Sequence, residues 1–171
     1  GLSTGAIVGI VAGVFLALLA FTGIGLYQFA VNGVYNPYKM ADLKADAQWA
    51  EVVNQYQRRS DLIPNLVALV SQAAGHENST LTGVTEARAR ANSVQLTPEA
   101  LKDPDAMKRF SQAQGDLTTA LSKLMMLTEN YPNLKANENF LSSQAELVGT
   151  ENRITVARNR YIAEVVKVNE V

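Results

Sequence analysis

The sequence predicts an all-α protein in which an N-terminal transmembrane helix is followed by an antiparallel four-helix bundle with a long first helix. Three observations predict this fold class. No Asp, Glu, Lys or Arg occurs from Gly1 to Tyr38. Apolar residues alternate by three and four along four later stretches, and no stretch has the period of two that is typical of strands. We expect a transmembrane helix over residues 1–34 and a helical bundle over residues 35–171.

The N-terminal segment is long and apolar enough to cross a bilayer. Between Ala6 and Ala30 only Thr22 and Gln28 are clearly polar, and a span needs about 20 residues. The alternatives are a buried core helix and a cleaved signal peptide, although the apolar part of a signal peptide is only about 7–15 residues long. Aromatic residues at the end of the segment are expected at a headgroup layer. These are Tyr27, Tyr35 and Tyr38.

Small residues form a ridge along the predicted span. Gly5, Gly9 and Gly13 are four residues apart, which lets a second helix approach closely and pack by van der Waals contact. Glycine is also common in membrane helices without any such role. We expect the ridge to pack against another membrane helix, for instance that of a second copy.

A seven-residue repeat of apolar positions predicts the first helix of the bundle over residues 38–74. Pro64 lies inside this repeat. Because proline removes one backbone hydrogen bond, we expect a kink or a restart near Ser60, and we favour a kinked continuous helix because the repeat keeps its phase. Five apolar residues lie off the repeat. A single bundle is not expected to cover all of them, and those left exposed are expected to mark a contact surface. The five residues are Leu43, Val53, Leu62, Val67 and Leu69.

Capping and stop signals place the other helices. Gly75 suits the end of the first helix. Residues 32–37 are linker-like, and the alternative is that the span runs into the first helix with only Asn36-Pro37 as a break. Proline directly after a capping residue marks a helix start. The predicted start signals are Asn78 or Ser79 for the second helix, Thr97-Pro98 and Asp103-Pro104 before the third, and Asn137 for the fourth.

The composition argues against catalysis, metal binding and nucleic-acid binding. The chain has no Cys and a single histidine, His76, so a His/Cys zinc site cannot be built within it. His76-Glu77 lacks the second histidine of a metalloprotease helix because residue 80 is Thr. A net charge of −1 supplies no basic field for nucleic acid. We therefore expect a protein that is not an enzyme, with no cofactor, no metal and no nucleic-acid partner.

Charged residues flank the apolar repeats of the first and fourth helices. The first group is Arg58, Arg59 and Asp61, and the second is Glu151, Arg153 and Arg158. We expect interhelical ion pairs that fix the register of the helices. There are two alternatives. One is a site for an anionic ligand or a partner's carboxylate, and the other is a solvated face. Arg88 and Arg90 are expected to be solvated.

Four segments resemble the LemA family of bacterial membrane proteins. They are WAEVVNQYQRRSDLIPNLV at 49–67, GHENSTLTGVTEARA at 75–89, YPNLKANENF at 131–140 and GTENRITVARNRY at 149–161. The resemblance implies one N-terminal membrane helix, a long-helix bundle and no established catalytic residues. It also implies a basic tail beyond the position of Val171. Residue 37 is Pro where the family pattern has a small or aliphatic residue, so a sharper bend is expected there.

Two functions follow as hypotheses. The first is a structural protein that forms homo-oligomers through the glycine ridge and the long helices and scaffolds or shapes membrane. The alternative is a membrane-anchored binding module, an adaptor for a membrane sensor or protease. The expected partners are the lipid bilayer, a second copy and another membrane protein. The expected location is the bacterial inner membrane, single-pass, with the bundle leaning to the cytoplasm from Lys39 and Lys44, although Asp42 and Asp46 accompany these lysines.

Overall fold

A computed structural model describes residues 3–75 and 79–170. Within these ranges the chain is helical and contains no strand, so the all-α prediction is confirmed. The helices are α1 (Thr4–Ala30), α2 (Asn36–Ala74), α3 (Ser79–Ser93), α4 (Pro104–Thr128), α5 (Pro132–Lys135) and α6 (Glu138–Glu170). A π-helical segment, Val31–Tyr35, joins α1 to α2, and a 3₁₀ turn, Ala100–Lys102, precedes α4.

The chain divides into two compact units. The first contains the residues up to Ala45 together with those from Ala163 onward, and the second contains Asp46–Ile162. In the first unit residues 32–37 are helical throughout, so of the two alternatives the linker is wrong and the span runs into the first helix. A π-helical segment, Val31–Tyr35, ends two residues before Pro37. Proline clashes with the carbonyl four residues earlier in a regular helix, and a π-helical turn is a common way to accommodate a disturbed hydrogen-bond ladder.

Helix starts and ends in the second unit follow the local signals. Asp103 accepts a hydrogen bond from the backbone N–H of Asp105, and Asn137 accepts from those of Asn139 and Phe140. Gly75 ends α2 with a positive φ of 82°, the left-handed conformation that glycine adopts without a steric penalty. These three predictions are confirmed. Helix α3 begins at Ser79, whereas Asn78, the other predicted start, lies outside the described residues.

Two apolar clusters form the core of the second unit. The tryptophan cluster consists of Trp49, Val52, Leu96, Ala106, Phe110 and Ala157. The leucine cluster consists of Ile63, Leu66, Val70, Leu81, Val84, Ala87, Ala91, Leu117, Leu121, Leu124, Leu134, Phe140 and Leu147. Three of the five apolar residues that lie off the repeat of the first helix pack against these clusters, whereas Leu43 is exposed, so the unit covers only part of this set. The three are Val53, Val67 and Leu69.

Candidate functional site

Helix α1 is a candidate membrane-contacting surface. None of its residues is buried, so the core-helix interpretation does not fit it. It lies in the one helical stretch of the described chain that is long and apolar enough to cross a membrane. The hydroxyl of Thr22, within α1, is hydrogen-bonded inside the helix, because Oγ1 donates to the carbonyls of Leu18 and Leu19 at 2.9 and 3.0 Å. Such internal pairing is what an apolar surrounding requires of a polar side chain.

The glycine ridge has open space beside it. A Cβ atom added at Gly5, Gly9 or Gly13 would meet no described atom within 4 Å apart from the neighbouring backbone of α1. Larger side chains at these positions would therefore leave the fold of the chain unstrained. The ridge is free to receive another helix.

Polar and aromatic residues mark the end of the apolar segment. The Asn32 amide donates to Gln28 at 3.0 Å, and the Asn36 amide donates to Asn32 at the same distance. Tyr35 is exposed and has the Lys39 ammonium 5.8 Å from its ring centre. Aromatic rings beside amides and a cation are typical of a membrane–water interface.

A polar layer in the second unit extends from buried side chains to exposed ones. Arg59, with only 2% of its surface exposed, donates through Nη1 to Glu151 at 3.0 Å and to Thr118 at 2.9 Å. Its Nη2 donates to the carbonyl and the side-chain oxygen of Gln114. The ring of Tyr56 covers the guanidinium at 5.2 Å. Arg59 therefore joins α2, α4 and α6.

The same layer contains a second arginine that compensates for a proline. Pro64 lies inside α2 and has no N–H to donate to the carbonyl of Ser60. Arg88 Nε donates to that carbonyl at 2.8 Å, and the Ser60 hydroxyl donates to Asn92 at 2.7 Å. The expectation that Arg88 is solvated is therefore wrong, because α3 packs this side chain against α2. We call Arg59, Ser60, Arg88, Asn92, Gln114, Thr118 and Glu151 the polar layer.

The remaining predicted cluster residues lie nearer the surface. Arg58 pairs with Glu146 at 3.4 Å, and Asp61 accepts from Gln57 at 2.8 Å. Arg153 donates to Gln55 and Thr150 at 3.3 and 3.0 Å. Gln114, Thr118 and Glu146 were missed from the sequence, because a polar residue beside an apolar repeat does not identify its partner on another helix.

Arg158 lies at an aromatic cleft. The cleft, about 160 Å³ in volume, is lined by Trp49, Tyr56, Phe110 and Tyr161 among others, with Arg158 at its wall. The rings of Trp49 and Tyr161 are 5.1 Å apart. Burial, together with the negative charge of Asp46, raises the pKa of the Tyr161 hydroxyl above its ordinary value. Because of its volume and its aromatic lining, the cleft can hold a small apolar group beside Arg158.

No metal-ligand cluster of three or more acidic, histidine or cysteine side chains occurs in the part of the chain that the structure describes. His76 lies outside the described residues.

These features define a class of helical proteins with one candidate membrane span and a helical domain that encloses a polar layer. The chain belongs to the LemA family, whose pattern matches residues 48–171. It is also similar to the magnetosome protein MamQ of Magnetospirillum gryphiswaldense, with 25% identity over 170 aligned residues. The alignment covers 89% of this chain and 62% of MamQ. Family membership and this relative indicate a membrane-associated protein.

Proposed function

We propose that this protein is a non-enzymatic, single-pass membrane protein that associates with copies of itself and scaffolds or shapes membrane. One observation carries the proposal: α1 is charge-free and none of its residues is buried within the chain. A fully exposed apolar helix of this length is stable only when lipid or another apolar surface covers it. The membrane association of the family and the name of the magnetosome relative are consistent with this proposal.

The glycine ridge is the proposed contact between copies in the bilayer. Close packing against Gly5, Gly9 and Gly13 gives van der Waals contact that lipid chains do not provide. A Cβ atom added at these positions would meet no described atom within 4 Å apart from the neighbouring backbone of α1, so no side chain of α1 blocks a partner helix there.

We further propose that the soluble part is an antiparallel four-helix bundle. Along α2, residues of the tryptophan cluster precede those of the leucine cluster, and the same order holds along α4. The order is reversed along α6, and also from the leucine-cluster residues of α3 to Leu96, which follows α3. Alternating order along successive long helices is what an up-and-down bundle produces. The bundle is proposed on the cytoplasmic side of a bacterial inner membrane, in keeping with Lys39 and Lys44 after the span.

The experiment compares two glycine substitutions in full-length protein carrying two different tags in one membrane. Gly9→Ile blocks the ridge. Gly25→Ile is the matched control, because Gly25 also has open space but lies about 160° around the helix from Gly9 at about 100° per residue. We expect both variants to remain in membranes after alkaline extraction, and only Gly9→Ile to reduce co-purification of the two tags. Equal co-purification would refute the ridge, and alkaline release of the wild-type protein would refute the membrane span.

The aromatic cleft supports a second candidate function, that of a binding module for another membrane protein. Arg158 is exposed, and the described residues provide it with no ion-pair partner, so it is available to a carboxylate. We expect Arg158→Ala to reduce capture of such a partner while Arg160→Ala, also exposed on α6, leaves it unchanged. Equal losses in both variants would argue against the cleft.

A further inference from the structure

Helix α6 carries a row of uncharged, exposed residues that no other part of the second unit covers. Among them Leu141 is 47% exposed, Val148 is 54% exposed and Ile162 is 55% exposed. The row contains seven positions, all exposed, which we call the outer seam. They are Leu141, Ala145, Val148, Asn152, Thr155, Asn159 and Ile162.

The outer seam has the spacing of a coiled coil. Successive positions are alternately four and three residues apart, which is the a/d pattern of a heptad repeat. Ala145, Asn152 and Asn159 take the a positions, and the others take d. The core-facing residues of the same helix, such as Leu147 and Ile154, lie at c positions on a different side. Helix α6 therefore has one seam inside the unit and a second one outside it.

The two asparagines of the outer seam recur seven residues apart, both at a positions. The side-chain amides of Asn152 and Asn159 have no hydrogen-bond partner within the described chain. Thr155, by contrast, donates its hydroxyl to the Glu151 carbonyl at 3.2 Å and so presents its methyl group. An asparagine at an a position pairs with the same asparagine of a parallel partner and fixes register and two-stranded assembly.

We infer that a second copy of this chain covers the outer seam and forms a parallel, two-stranded coiled coil along α6. A partner for an uncharged seam needs an uncharged surface of its own, so that no charge is buried without a counter-charge. A second copy supplies such a surface with identical spacing. Parallel pairing places Asn152 opposite Asn152 and Asn159 opposite Asn159, whereas antiparallel pairing would place an asparagine opposite an apolar d residue such as Val148. At the flank, Glu151 at g faces Val156 at e of the other copy, so no like charges meet there.

This inference rests on the proposed self-association and identifies a contact in the helical domain, separate from the glycine ridge. It also places the surface through which copies associate on α6 and not on the first helix of the bundle. The sequence places the extra apolar residues on the first helix, but three of those five pack inside the unit. The exposed apolar residues of the second unit lie mainly on α6.

Single-cysteine crosslinking tests the inference directly, since the sequence has no cysteine. Val148→Cys and Thr155→Cys place a thiol at d positions, and Arg160→Cys is the control at an exposed b position. Disulfides need Cα atoms within about 4.4–6.8 Å, a distance that facing d positions of a parallel pair satisfy. We expect the full-length protein, in membranes under mild oxidation, to form covalent dimers at least about tenfold faster at residues 148 and 155 than at residue 160.

A second variant perturbs the seam and keeps the thiol at residue 148. In the Val148→Cys chain, Asn152→Asp places like charges opposite each other at an a position, and we expect crosslinking to fall at least about fivefold. Equal crosslinking at all three cysteine positions, or crosslinking of residue 148 to a different protein, would overturn the inference. Crosslinking at residue 155 without crosslinking at residue 148 would overturn the parallel arrangement.

The light-scattering mass of the uncrosslinked wild-type protein separates this inference from the proposed function. An oligomer that fails to crosslink at residues 148 and 155 refutes the outer seam and leaves self-association standing. A monomer refutes both.

Discussion

The carbonyl of Ser60 gives the most specific prediction about the polar layer. It is buried with its residue, which is 2% exposed, and it loses its regular helical donor because residue 64 is proline. Arg88 Nε supplies the replacement at 2.8 Å. Arg88→Ala therefore removes a charged hydrogen bond and leaves a buried acceptor unpaired.

The magnitude follows from the contact. A hydrogen bond from a charged donor contributes about 1.5–3 kcal/mol, and an unpaired buried acceptor costs about 1–3 kcal/mol. Because Arg88 is half-buried, water can enter the vacated space, so we expect Arg88→Ala to lower the free energy of unfolding by about 2 kcal/mol. Arg90→Ala is the matched control on the same helix. The Arg90 side chain is 59% exposed, and its ion pair with Glu86 is long, at 3.9 Å. The loss of this exposed pair should cost under about 0.5 kcal/mol.

The decisive perturbation is Pro64→Ala. It gives residue 64 an N–H that can bond the Ser60 carbonyl, as in a regular helix. In that background we expect Arg88→Ala to cost less than about 1 kcal/mol, which is a coupling of about 1–2 kcal/mol between two contacting sites.

The assay is urea unfolding of the full-length protein in mild detergent, followed by tryptophan fluorescence. Trp49 is the one tryptophan of the chain. It is 5% exposed, and its indole N–H donates to Leu96 at 3.2 Å, so its emission reports on the second unit. If Arg88→Ala has the same cost with Pro64 and with Ala at position 64, the arginine is not replacing the missing backbone donor and the reasoning is refuted.

Three further predictions concern the same unit. Glu151→Ala leaves the buried guanidinium of Arg59 without a counter-charge and should cost about 2–3 kcal/mol in urea unfolding. Arg59→Met should cost less, because Glu151 is 39% exposed and stays hydrated, and the opposite order would contradict this view of the ion pair. Gly75→Ala should lower stability by about 1 kcal/mol through its positive φ, and Gly75→Asn by less; equal, negligible effects would argue against the left-handed helix end. The raised pKa of Tyr161 means that the fold favours the neutral phenol, so stability is retained below pH about 10 and falls as the pH rises through the folded value; Tyr161→Phe should flatten that fall between pH 9 and 11, and an unchanged profile would exclude Tyr161 as its source.

Local signals in the sequence predicted the helix boundaries well. Asp103, Asn137 and Gly75 each act on backbone groups within a few residues of themselves. Such contacts depend little on the rest of the fold. The helical continuity at Pro37 is not predictable from such local signals. A π-helical segment can accommodate a proline without ending the helix, and nothing in the local residue types distinguishes the two outcomes.

The polar layer required the structure because its members are far apart in the sequence. Arg59 stands in the sequence as a polar residue beside an apolar repeat, but its Nη1 and Nη2 donate to Thr118 and Gln114 on α4, which the repeat does not indicate. Arg88 has the sequence context of a solvated helical residue, and only the packing of α3 on α2 brings it to Ser60. Long-range pairing of this kind is not determined by periodicity.

The mass of the detergent-solubilised full-length protein, measured by light scattering and corrected for bound detergent, tests the central claim of self-association most directly. The account predicts a defined multiple of 18.5 kDa for the wild-type protein and for Gly25→Ile, and a smaller mass for Gly9→Ile. A wild-type mass equal to that of a single chain would contradict it.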